Sequence, residues 1–126
     1  MSISLQERQM GDVTVVDIAG RVTLTFLPGD RDIVDPNCGS RKLRDKFQKL
    51  VANKQKWVLL NLGEVSYIDS SGIGELVSAF TSVKNAGGEL KLLNLTKKVH
   101  DLLQITKLYT VFDIWDSETS AVSAFK

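Results

Sequence analysis

Cysteine is almost missing from this chain, and so is histidine. One of each occurs in 126 residues, Cys38 and His100. A lone thiol excludes an internal disulfide and a cysteine-rich metal site. It points to a reducing cytosol as the compartment. Proline is nearly as scarce, and both residues, Pro28 and Pro36, fall in one short segment. No apolar run approaches the roughly 18 residues that would cross a bilayer. The opening MSISLQERQ has neither a basic stretch nor an apolar stretch of signal-peptide type. These lacks predict a soluble, cytoplasmic protein that does not act in a membrane. An excess of one charge is absent too. The 16 basic and 15 acidic residues leave a net charge of +1. That argues against direct nucleic-acid binding, which needs a surplus of Lys and Arg to neutralise phosphates.

What is present is an ordinary globular composition, 43% apolar and 25% charged. The length suits a single domain, 1–126, with a real core. Residues 2–9 and 13–19 predict two strands around the turn residues Met10-Gly11-Asp12, and a further extended stretch runs from Val22 to Phe26. Ser40 is placed to cap a helix starting near Arg41, with Leu43, Phe47, Leu50 and Val51 at helical spacing. WVLLNL, Trp57 to Leu62, predicts a strand covered on both faces, and Val65 to Ile68 continues toward the next helix. Ile73, Leu76, Val77, Phe80 and Val83 form one helical face, which ends at Asn85-Ala86-Gly87-Gly88. LKLLNL, Leu90 to Leu95, is a second buried strand. Thr96 caps a helix carrying Val99, Leu102 and Leu103; Tyr109 to Trp115 is a last strand; and Asp116 or Ser117 starts a helix reaching about Phe125. This alternation predicts an α/β fold with parallel pairing in its later part and an antiparallel N-terminal hairpin.

The segment LPGDRDIVDPNCGS, Leu27 to Ser40, predicts a long loop, and loops of that length in a small domain are usually functional or mobile. Asp30, Asp32 and Asp35 lie in it. Their spacing fails the calcium-loop pattern and no bidentate glutamate closes it, so a solvated loop is the better reading and no metal is expected.

The stretch YIDSSGIGEL, Tyr67 to Leu76, asks for more than a helix start. No glycine stands two residues before Ser70 or Ser71, so the hydrolase nucleophile elbow is absent. His100 belongs to a different helix, on its solvated face. Gly72-Ile73-Gly74 lacks the third glycine of a dinucleotide fingerprint, since Val77 stands there, and the following strand ends at Asn94 rather than at an acid. A Walker A lysine is missing. No enzyme and no cofactor are therefore expected. A cap accounts for one of Asp69, Ser70 and Ser71. It leaves Gly72 and Gly74 unexplained, because a glycine inside a helix costs about 1 kcal/mol relative to alanine. Glycine permits close approach, either by a neighbouring strand or by another protein. A helix start also offers unpaired N–H groups and the positive dipole end to an anion. A hydroxyl presented there fits a phosphorylation switch as well as a well-capped helix.

VSYIDSSGIGELVSAF, followed by GGELKLLNL and VHDLLQITKLYTVFDIW, resembles the STAS-domain anti-sigma-factor antagonists of bacteria. The resemblance covers most of the chain, and its most specific part is Asp69-Ser70-Ser71-Gly72. It implies the STAS fold, a small mixed sheet with an N-terminal antiparallel hairpin and about four helices packed on one side. It implies partner switching. The unphosphorylated antagonist binds an anti-sigma factor that is also a serine kinase, which frees a sigma factor; phosphorylation separates the pair; a serine phosphatase resets it. By resemblance Ser70 is the phosphorylated residue. Asp69 then fixes the turn and orients the hydroxyl, Ser71 caps the helix, Gly72 and Gly74 give a partner room, and Ile73 packs inward or touches that partner. Lys97 and Lys98 meet an acidic partner or remain a solvated face. Typical members pass from the early strands to the first helix by a short turn, so 27–40 is an insertion here, with Cys38 as an exposed thiol. The alternative within the fold is a non-switching STAS module of a signalling assembly or lipid-transport complex.

Overall fold

The structure, a computed structural model, describes residues 3–125. Strands β1 (Ile3–Met10) and β2 (Val13–Val22) pair antiparallel in register Met10 to Val13. Ser2, the first residue of the expected strand, lies outside the described residues, as do Met1 and Lys126. Then come β3 (Phe26–Leu27), β4 (Asp30–Val34), α1 (Gly39–Ala52), β5 (Trp57–Ile68), α2 (Ser70–Asn85), β6 (Glu89–Leu93), α3 (Lys97–Ile105), β7 (Asp113–Trp115) and α4 (Glu118–Ser123). The main sheet has the order β1-β2-β5-β6-β7, parallel from β2 onward. The α/β reading and the mixed sheet hold.

Burial on both faces explains the unbroken apolar runs. Val16, Ile18, Leu60 and Leu92 share a core with Leu43 and Phe47 of α1, Leu76 and Val83 of α2, and Val99 and Leu103 of α3. Val13, Val15, Leu59 and Leu93 form a second core with Ala121 and Phe125. Thus α1–α3 cover one face and α4 the other, which corrects the expectation of helices on one side. The short α4 cannot bury much by itself. It is fastened by Arg8, whose guanidinium donates to both Asp17 and Glu118.

That fastening titrates. The Asp17 carboxyl is held below the ordinary carboxylate range, first by the hydrogen bond from Arg8, against the opposing cost of burial and with help from the Asn61 amide. A lowered folded-state pKa contributes stability above the unfolded value of about 4. The contribution is lost as pH falls through the folded value. Arg8→Ala should therefore lower the urea midpoint at neutral pH and flatten its fall on acidification. Equal acid slopes in the two proteins would sink the assignment.

Segment 27–40 is not a plain loop. Phe26 pairs with Val34 and Leu27 with Asp30, which makes β3 and β4 a separate two-stranded sheet. Its aspartates act locally: Asp30 accepts from the Asp32 N–H, and Asp35 from the Asn37 N–H. The extended stretch at 22–26 is split between the end of β2 and the start of β3. Helix α1 begins at Gly39 rather than Arg41, with Cys38, not Ser40, at the cap position. Ser40 instead uses its backbone N–H on the Thr23 carbonyl. Cys38 is 6% exposed, so the expected exposed thiol is buried. The last strand is shorter than Tyr109–Trp115. The N–H groups of Leu108, Tyr109 and Val111 are consumed by turn bonds to Leu103 and Leu108.

Candidate functional site

Helix α2 starts where β5 ends, and Asp69 makes the junction. Its Oδ1 accepts from the Gly72 N–H at 2.8 Å, the ordinary N-cap bond. Its Oδ2 accepts from the Leu24 N–H at 3.0 Å. One carboxylate thus holds the helix start and the chain leaving β2. Both oxygens accept from backbone donors, so Asp69 positions the turn. Ser71 does not cap the helix, because Asp69 does. Ile68 before the cap and Ile73 four residues after it are both 4% exposed in one core, the arrangement of a hydrophobic staple.

Asparagine offers one acceptor oxygen where the carboxylate offers two. Asp69→Asn should therefore keep one of these bonds and set an amide N–H against the other donor. We expect a loss of about 1–2 kcal/mol, read as a lower urea midpoint at unchanged slope. A midpoint equal to wild type would show that the Leu24 bond contributes nothing.

The glycines separate in role. A Cβ on Gly72 would lie 2.2 Å from the Val22 carbonyl oxygen and 2.6 Å from Ile68 Cγ1. A Cβ on Gly74 would meet nothing within 4 Å. Gly72 is therefore small because β2 passes against it, a reason internal to the fold. Gly74 is exposed and has no such constraint. Helix α1 repeats the device, since a Cβ on Gly39 would lie 2.0 Å from the Arg21 carbonyl oxygen. Two helix N-termini thus close on the last residues of β2.

Ser70 is the first residue of α2 and is exposed; Ser71 is only partly so. Tyr67, three residues earlier, is also exposed, with the Arg21 guanidinium 4.9 Å and the Lys98 Nζ 5.8 Å from its ring centroid. Cations over an aromatic face are attracted by its quadrupole. Lys97 instead pairs with Asp101 one turn along α3 at 2.9 Å, and its hydrogen bond, against a small burial cost, holds that carboxyl below its ordinary range. His100 lies edge-on to Tyr109 at 4.7 Å. Sequence reasoning passed over Arg21, Leu24 and Tyr67. Tyr67 was legible as an aromatic beside the motif, whereas Leu24 acts through its backbone and leaves no residue signal.

Residues 39–121 match the family model described as STAS domain. The anti-sigma-B factor antagonist of Bacillus subtilis (strain 168) is 33% identical over 114 residues, 90% of this chain and 92% of the relative. Among solved structures, an anti-sigma factor antagonist from Mycobacterium paratuberculosis superposes with a TM-score of 0.77 at 17% identity, covering 98% of this chain and 93% of that one. The Bacillus cell fate determinant SpoIIAA in its phosphorylated form gives 0.67 at 16% identity, covering 95% and 97%. These relatives are named as regulators, not as enzymes. Among the described residues no helix is long and apolar enough to cross a membrane.

Proposed function

The chain belongs to the STAS domain family, and from that premise we propose that it is an anti-sigma-factor antagonist working by partner switching. Unphosphorylated, it binds an anti-sigma factor that is also a serine kinase, and a sigma factor is released. The kinase moves the γ-phosphoryl group of ATP to the Ser70 oxygen. A bond from Oγ to phosphorus forms, ADP leaves, and the hydroxyl proton goes to the kinase. The pair then separates, and a serine phosphatase hydrolyses the ester to restore the hydroxyl. The setting is the cytoplasm, with no nucleic acid or membrane bound directly.

The observation that carries this reading is the exposed hydroxyl of Ser70 at the first position of α2, on a junction clamped by Asp69. A rigid, accessible serine suits a kinase, and a partly covered neighbour favours Ser70 over Ser71 as acceptor. The helix N-terminus stabilises the added anion within this protein. The same anion is costly in a close contact with no matching cation. The phosphorylated SpoIIAA among the fold neighbours supports the reading by analogy.

The test is a phosphosite assay. The protein is incubated with ATP and candidate kinases, and phosphate is located by peptide mass spectrometry in wild type, Ser70→Ala and Ser71→Ala. Phosphate lost only in Ser70→Ala is expected. Phosphate on Ser71 would overturn the residue assignment. No phosphate, from a kinase active on another antagonist, would favour the non-switching module.

A further inference from the structure

Hairpin β3–β4 pairs with no strand of the main sheet. Two strands alone are marginal in water without an apolar face to pack. This hairpin nevertheless leaves Phe26 47% and Ile33 48% exposed, one on each strand. Its root is fixed at the clamped junction: the Leu24 N–H donates to Asp69, the Asp35 N–H to the Thr25 carbonyl, and the Ser40 N–H to the Thr23 carbonyl. The family-matched segment begins at residue 39, so the arm, like β1 and β2, lies outside what that match covers.

From this placement we infer that the β3–β4 hairpin is a second contact arm for the anti-sigma partner, which reads partner identity beside the Ser70 switch. The inference rests on the proposed function for the partner's class. Continuity through Asp69 argues for that occupant: the residue that sets the start of α2 also anchors the arm, so a protein seated over Ser70 meets both. The arm adds what Ser70 lacks, apolar area that is desolvated on contact. Asp30, Asp32 and Asp35 against Arg31 give it a negative balance, so the fitting surface is an apolar cleft with basic residues at its rim.

The experiment measures binding of the full chain to a panel of purified anti-sigma factors of the kinase type, by calorimetry, for wild type, Ser70→Asp, and the double variant Phe26→Ser with Ile33→Ser. Far-UV dichroism and melting temperature establish folding, and Ile33→Ser alone carries the test if the double variant unfolds. The expected result is a folded arm variant bound at least tenfold more weakly, about 1.4 kcal/mol, and still phosphorylated at Ser70 when kinase is in excess. Wild-type affinity in the folded variant, with Ser70→Asp weakened, overturns the arm and leaves the switch standing. No binding by wild type to any panel member overturns both. A wild-type dimer that the arm variant dissociates, seen by sedimentation, would replace the partner with a second copy of this chain and overturn the inference.

Discussion

Ser70→Asp should bind the anti-sigma partner tens to thousands of times more weakly than wild type, while melting at the same temperature or slightly higher. The two halves have different causes. Within the protein, a carboxylate at the first position of α2 meets the positive end of the helix dipole, worth about 0.3–1 kcal/mol in favour. Ser70 is exposed, so no packing is lost. Across the interface, the charge loses its water against a surface built to meet a small hydroxyl. Unmatched charge there costs about 2–5 kcal/mol, and each 1.4 kcal/mol is about a decade in affinity. Phosphate, with about −1.5 to −2 charge, should act more strongly than aspartate. Ser70→Ala should bind like wild type and resist release by ATP. Calorimetry and thermal melts on the same samples separate the effects. Aspartate binding as tightly as serine would remove the electrostatic basis of the switch.

Gly72→Ala should be strongly destabilising, and Gly74→Ala, two residues on, should be harmless. The new Cβ at position 72 would stand 2.2 Å from a backbone oxygen of Val22. That oxygen cannot swing aside as a side chain would, because β2 is held in the sheet between β1 and β5. Either α2 lifts away, breaking the Asp69 clamp and uncovering Ile73, or β2 shifts. Overpacking of a tight site commonly costs about 1–3 kcal/mol, and a clash with backbone belongs at or above the upper end. A fall in melting temperature of about 10 °C or more follows for a domain of this size. At position 74 the methyl enters open space, and alanine gains about 1 kcal/mol in helix propensity. A stable Gly74→Ala that binds the partner poorly would assign that glycine to the interface. A Gly72→Ala that melts like wild type would refute the close approach.

The contrast between these glycines shows how far sequence reading reached. The cost of glycine in a helix marks both positions as needing a reason, and within the fold only Gly72 has one. Which reason applied was not legible, because the atom that decides it for Gly72 belongs to Val22, fifty residues away. Asp69 was readable as one of three candidate caps. Its second bond was not readable, since the donor is a backbone N–H that any residue at position 24 would supply. Segment 27–40 was misread for a related cause: β3 and β4 are short, rich in aspartate and interrupted by Pro28-Gly29, and each gains strand character only from the other. Cys38 looked exposed beside Pro36 and Asn37, yet α1 begins under it and draws it inward.

The order of the main-sheet strands and the four helices, the doubly covered central strands, the Thr96 cap and the place of the serine pair were all legible in the sequence. Each of these is written in signals that act within about four residues, where periodicity and capping are decided. Three outcomes appear only in the folded molecule: α4 lies on the opposite face, two glycine-bearing helix starts close on the end of β2, and Asp69 ties the start of α2 to the chain leading into the β3–β4 hairpin. Those outcomes depend on which surfaces meet across the sheet. Close packing sets them through contacts between residues far apart in the chain, and no local pattern records such contacts.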